Sequence, residues 1–198
     1  MKKTLLLNFS FSYFIKLLYL WVELFNMETK VVLVNENDEV LGTMEKLEAH
    51  QKGVLHRAFS VFLFNEKGQM LLQKRAATKY HSPNKWTNTC CSHPMLNETY
   101  QDAALRRLRE ELGIDAEIQP IFHFIYKADV GDGLWEHELD HVFIGSYEGE
   151  FQLNPEEVSE IRYITLDDLL QEVSMHPDDF TEWFKIILSE YMSHIKIN

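Results

Sequence analysis

The stretch "AFSVFLFNEKGQMLLQKR", residues 58 to 75, constrains the fold of this chain more than any other. Two apolar runs flank "NEKG", where Gly68 can take the positive φ that a tight turn needs, so the segment predicts a β-hairpin. "VVLVNENDEVLGTM" reads as two short strands around a polar Asn–Asp turn, and "KWTNTCC" as one more short strand. "IQPIFHFIYKAD" and "WEHELDHVFIGSY" are β-rich and separated by the turn "VGDG". Ahead of both, "NETYQDAALRRLREELGI" predicts a helix. Tyr100, Ala104, Leu108 and Leu112 recur every fourth residue, Asn97 offers a cap and Gly113 a stop. "LDDLLQEV" and "PDDFTEWFKIILSEYM" read as two amphipathic helices near the end. Strands and helices that do not alternate regularly predict an α/β sandwich, a mixed β-sheet flanked by helices.

With 198 residues, 45% of them hydrophobic, the chain can bury one sizeable core and is not a disordered segment. Its net charge of −12 disfavours nucleic acid and anionic membrane surfaces as partners. An anionic substrate would need metal ions or a local basic cluster to offset that field. Two adjacent cysteines make no disulfide framework, which points to a reducing, cytoplasmic compartment. Residues 1–26 form an apolar extension, but Asn8, Lys16 and Glu23 interrupt it and no small-x-small cleavage site follows. Met27 opens an ordinary domain start. The expectation is a mis-assigned initiator with one domain over 27–198, a membrane anchor being the weaker alternative. The expected state is a monomer or weak homodimer.

The chemistry concentrates in a few segments. In "NTCCSHP", strand alternation puts Cys91 and His93 on one face and Cys90 on the other. Cys91 is then the functional candidate, and Cys90 a small core residue. "HELDH", 137 to 141, matches the helical zinc-protease pattern, but its surroundings alternate like a strand. Extended geometry separates His137 from His141 by about 13 Å and brings Glu136 and Glu138 onto one face, with Cα atoms about 7 Å apart.

Glu98, then Arg106, then "EELG" at 110 to 113 resembles the Nudix box, a loop and helix whose glutamates hold divalent cations against a diphosphate. Two positions depart from it: Ser92 stands at the box glycine and Arg107 at one of its glutamates. Arginine in place of a metal-binding acid weakens hydrolysis and adds a fork that can grip phosphate. A domain that binds a diphosphate without cleaving it is expected.

"EAHQKGVLHRAFS", "WTNTCCSHP" and "WEHELDH" together resemble the type I isopentenyl-diphosphate isomerase family, of Nudix fold, over nearly everything from Met27 onward. That resemblance implies His50, His56, His93, Glu136 and Glu138 as metal ligands, and Cys91 and Glu138 as the catalytic pair. It implies Tyr126 as an active-site tyrosine and Glu111 as a ligand for Mg²⁺ carried on the diphosphate. Lys46, Arg75, Lys79 and Arg107 would lie near the diphosphate, and Trp183 would line the pocket. Three imidazoles with two carboxylates suit a six-coordinate Mg²⁺ or Mn²⁺, and the lack of cysteine pairs excludes tetrahedral thiolate zinc. His81, His123, His176 and His194 carry no expected role. A Nudix-type diphosphate hydrolase and a non-catalytic diphosphate-binding domain are the rival readings.

Overall fold

The computed structural model describes residues 30–195. The expectations for residues 1–26 and for an initiator at Met27 lie outside the described residues. Nine strands among those residues form one mixed sheet. In chain order they are β1 (Lys30–Val34), β2 (Val40–Glu45), β3 (His56–Phe64), β4 (Met70–Arg75), β5 (Trp86–Thr87), β6 (Cys90–Ser92), β7 (Ile118–Gly131), β8 (Leu134–Ser146) and β9 (Val158–Ile164). The helices are α1 (Lys46–Lys52), α2 (Tyr100–Leu112), α3 (Leu166–Met175) and α4 (Glu182–Ile186). The mixed, helix-flanked α/β sheet agrees with the expected fold class.

β3 is the hub. It runs antiparallel to β1, β4 and β6 and parallel to β8, with His56 opposite Glu138 and Phe64 opposite Ser146. Its near-continuous apolar run is buried on both faces, as a central strand requires. Phe62 faces a layer containing Phe124, Val142 and Phe184, whereas Phe59, Val61 and Leu63 face α2 through Leu108 and Leu112. β7 and β8 form a long hairpin closed by the turn at Gly131 to Gly133, as the sequence predicts.

Helix α2 starts later than expected. Its cap is Thr99, whose side chain accepts from the Asp102 amide at 3.1 Å, while Asn97 sits upstream with φ 69°. Threonine stands within reach of the orphan amide, and asparagine tolerates the left-handed bend of the incoming loop. Gly113 ends the helix at φ 68°, and a Cβ there would lie 2.6 Å from the Gln152 side chain.

The single helix expected over "PDDFTEWFKIILSEYM" breaks into pieces: a 3₁₀ turn at Pro177–Asp179, α4, a π-helical turn at Ile187–Tyr191 and a 3₁₀ turn at Met192–His194. Tertiary anchoring overrides the helical period. Phe180 is buried, and Thr181 donates its amide to the Trp86 carbonyl and its hydroxyl to Thr87. The sequence carries no clear signal for α1 or β9. α1 spans seven residues and buries only Ala49 and His50, too little for a periodic signal.

Candidate active site

The sheet gathers side chains from β3, β6, β7 and β8 onto one face. Pleating puts Glu136 and Glu138 on that face of β8, and parallel pairing sets His56 beside Glu138. Cys91 pairs with Ser60 of β3, and the loop after β6 delivers His93. Cys90 is fully buried on the other face, against α2, as expected. α1 supplies Lys46 and His50.

The ligand atoms of His50, His56, His93, Glu136 and Glu138 all lie within 4.8 Å of one another. His50 Nε2 is 3.1 Å from Glu136 Oε2, and His93 Nε2 is 2.9 Å from Glu138 Oε1. The opposite ring nitrogens fix the tautomers: His50 Nδ1–H donates to the Lys46 carbonyl at 2.6 Å and His56 Nδ1–H to the Val54 carbonyl at 2.8 Å. Lone pairs on Nε2 are therefore aimed at carboxylate oxygens. His50 Nε2, His56 Nε2 and Glu136 Oε2 are buried with no hydrogen-bond partner among the described residues. Burial and the charge of Glu138 push Glu136 above the usual carboxylate range. Burial pushes His93 down to about 3, so its ring is neutral at physiological pH. Convergent, desolvated acceptors of this kind fit one divalent cation.

Cys91, Glu138 and Trp183 line one cavity of about 250 Å³ together with Lys46, Arg75, Lys79 and Arg107. Burial pushes the Cys91 thiol up to about 12, so it is a protonated group at neutral pH. Tyr126 O–H donates to Glu138 Oε2 at 2.5 Å. Although burial opposes it, the adjacent His56 and His93 hold the Glu138 carboxyl well below its usual range. Burial and then the charges of Lys79 and Arg107 lower the pKa of Lys46. Such mutual repulsion among cations is relieved by an anion. This cluster concentrates positive charge in one cavity of an otherwise acidic chain.

The folded chain adds contacts that spacing alone does not show. Glu111 is buried and does not line the cavity; Arg107 holds its Oε1 at 2.8 Å and Gln73 its Oε2 at 3.0 Å. Arg107 is clasped by Glu110 and Glu157 as well, at 2.9 and 3.1 Å. Glu98 is taken by a two-point pair with Arg106 and by the Met95 amide, which stiffens the turn into α2. His81, given no role from the sequence, is buried with Nε2 3.3 Å from Glu136 Oε1. Tyr80, Lys30 and Glu157 also line the cavity, and Glu157 pairs with Lys79. No spacing signal marked them, since they sit in loops or at a strand start. His137 and His141 face away from the ion cluster: His137 bonds the Gly53 carbonyl, and His141 stacks on Tyr100 and His123. The protease-like match has no geometric basis.

The architecture is that of Nudix proteins. A Deinococcus radiodurans protein superposes with a TM-score of 0.67 at 22% identity, covering 82% of this chain and 99% of its own. The MutT protein of Methanosarcina mazei gives 0.59 at 17% identity over 72% of this chain and 96% of its own. Residues 54–184 match the NUDIX domain family. Among curated proteins, isopentenyl-diphosphate Delta-isomerase 2 of Aromatoleum aromaticum is 45% identical over 87% of this chain and 91% of its own. The isopentenyl-diphosphate Delta-isomerase of Pectobacterium atrosepticum is 49% identical over 80% and 88%. That of Aliivibrio fischeri strain MJ11 is 48% identical over 85% and 98%. The chain therefore carries a Nudix domain and belongs to the isopentenyl-diphosphate Delta-isomerase family.

Proposed function

We propose that this protein interconverts isopentenyl diphosphate and dimethylallyl diphosphate by adding a proton to the alkene and removing another from the neighbouring carbon. The carrying observation is that a protonated thiol, Cys91, and a carboxylate hydrogen-bonded to a tyrosine, Glu138, share one cavity with six lysine and arginine side chains. An unactivated alkene is a very weak base, so its protonation to a tertiary cation needs a placed acid and exclusion of water. Cys91 and Glu138 are the two proton-transfer groups of this reading. Tyr126 holds Glu138 and can relay a proton through its hydroxyl.

Lys46, Arg75, Lys79 and Arg107 bind the diphosphate, a handle whose binding energy is spent on positioning the alkene. Trp183 lines the cavity with the Arg75 guanidinium packed 5.2 Å from its ring centroid. Its indole can face the cationic intermediate, a contact of about 0.5–2 kcal/mol. His50, His56, His93, Glu136 and Glu138 would hold one Mg²⁺ or Mn²⁺, which supplies the charge that lets two carboxylates stay ionised side by side. Glu111 reaches a Mg²⁺ carried on the diphosphate only by exchanging its bond with Arg107. Free Cys91 suits a reducing, cytoplasmic setting.

The hydrolase reading is disfavoured because Arg107, in the place of a box acid, occupies Glu110 and Glu111 itself. Acid treatment separates the two activities. Dimethylallyl diphosphate ionises readily in acid, whereas isopentenyl diphosphate does not. We expect metal-loaded protein to convert acid-stable label to acid-labile label without phosphate release. Phosphate release without acid-labile product would favour the hydrolase.

A further inference from the structure

We propose that His81 is a positioning residue for the ion site: it orients Glu136 and ties that site to the loop that carries Lys79. The inference rests on the reading of the His/Glu cluster as a cation site. His81 Nε2 lies 3.3 Å from Glu136 Oε1, the oxygen that does not face His50. It is not one of the five residues whose ligand atoms converge within 4.8 Å, so it touches a ligand rather than the ion's position. A neutral His81 with the proton on Nε2 presents a donor to Oε1, which would leave Oε2, the oxygen facing His50, as the ligand atom. The other ring nitrogen, Nδ1, is buried with no partner among the described residues, so no rival contact pulls the ring away. The ring itself is held on three sides. It stacks against His50 at 5.5 Å and meets the edges of Tyr80 and Trp183 at 4.5 and 5.9 Å.

The link to the loop runs through the backbone. Arg75 donates Nη2–H to the His81 carbonyl and Nε–H to the Ser82 carbonyl, while its guanidinium covers Trp183. Lys79, two residues before His81, lines the same cavity and pairs with Glu157. The loop between β4 and β5 thus presents one side chain toward the anion pocket and another toward an ion ligand. Partners that orient ligands in this way are typically worth about 10–100-fold in metal affinity.

The test is Mn²⁺ binding to the full chain, followed by electron paramagnetic resonance, with the parent, His81→Leu and His81→Gln. Leucine keeps the bulk and removes the donor; glutamine restores an N–H. We expect roughly tenfold or weaker binding in His81→Leu, partial recovery in His81→Gln, and similar metal-free melting midpoints. Pulsed spectra should show three imidazole nitrogens coupled to Mn²⁺ in both the parent and His81→Leu. Equal affinity of the parent and His81→Leu overturns the proposal. So does a count of four nitrogens in the parent that falls to three in His81→Leu, which would make His81 a ligand. A parent that binds no Mn²⁺ overturns the cation site on which the inference stands.

Discussion

One strand position separates Cys90 from Cys91, and the pleat of β6 sends their side chains to opposite sides of the sheet. Cys90 packs against α2 with no access to the cavity, so Cys90→Ala should remain active and lose about 1 kcal/mol of stability. Cys91→Ala should lower kcat by about 10²–10⁴-fold, the usual worth of a placed proton-transfer group, with a small change in KM. Steady-state kinetics on both variants checks this; a near-normal Cys91→Ala would remove the thiol from the chemistry. That pair was legible because alternation in a strand is a local rule. His81 was not, since a loop residue has no periodicity and its partner Glu136 is distant in sequence. A second residue-scale prediction concerns His141. Burial, then the neighbouring His123, pushes it from 6.5 down to about 4. Between those values the unfolded chain binds the proton and the folded chain does not, so this contribution is present above pH 6.5 and lost on acidification toward 4. Urea midpoints followed from pH 7 to pH 4.5 should fall less steeply in His141→Gln than in the parent. Identical slopes would contradict the assignment.

Helix α2 shows how an element can retain a family's shape while changing its charge. Its start is fixed by Thr99 and by the pair between Glu98 and Arg106, its end by Gly113, and its inner face by Ala104, Leu108 and Leu112. Thr99→Ala should cost about 1 kcal/mol in denaturant unfolding by exposing an orphan amide; an unchanged midpoint would deny the cap. Burial works against the charge of Arg107, yet Glu111 and Glu157 more than offset it and keep the guanidinium ionised. Arg107→Glu would put a fourth acid among Glu110, Glu111 and Glu157. Calorimetry should then show pyrophosphate binding about tenfold or more weaker, the worth of one hydrogen bond to a charged group. Unchanged affinity would remove Arg107 from the anion pocket. The position of α2 and its residue pairing were readable from spacing. The inward turn of Glu111 toward Gln73 was not, because it depends on a contact with β4 across the sheet. The broken C-terminal helix follows the same logic: its apolar period is helical, but Phe180 and Thr181 are claimed by β5.

At the scale of the whole molecule, the sheet brings a His/Glu cluster and a basic pocket together in a strongly acidic chain. Among the described residues no helix is long and apolar enough to cross a membrane. A ligand that binds the folded state alone stabilises it, by about 2.7 kcal/mol at a hundred times its Kd. Mn²⁺ should therefore raise the melting midpoint of the metal-free protein by roughly 5–10 °C, and the rise should vanish in Glu136→Ala. Equal shifts in both proteins would place the ion elsewhere. The most direct test of the central claim is proton NMR of isopentenyl diphosphate incubated in D₂O with the protein and Mg²⁺ or Mn²⁺. Proton addition and removal predicts dimethylallyl diphosphate carrying solvent deuterium. Product without deuterium, or unchanged substrate from folded and metal-loaded protein, would contradict it.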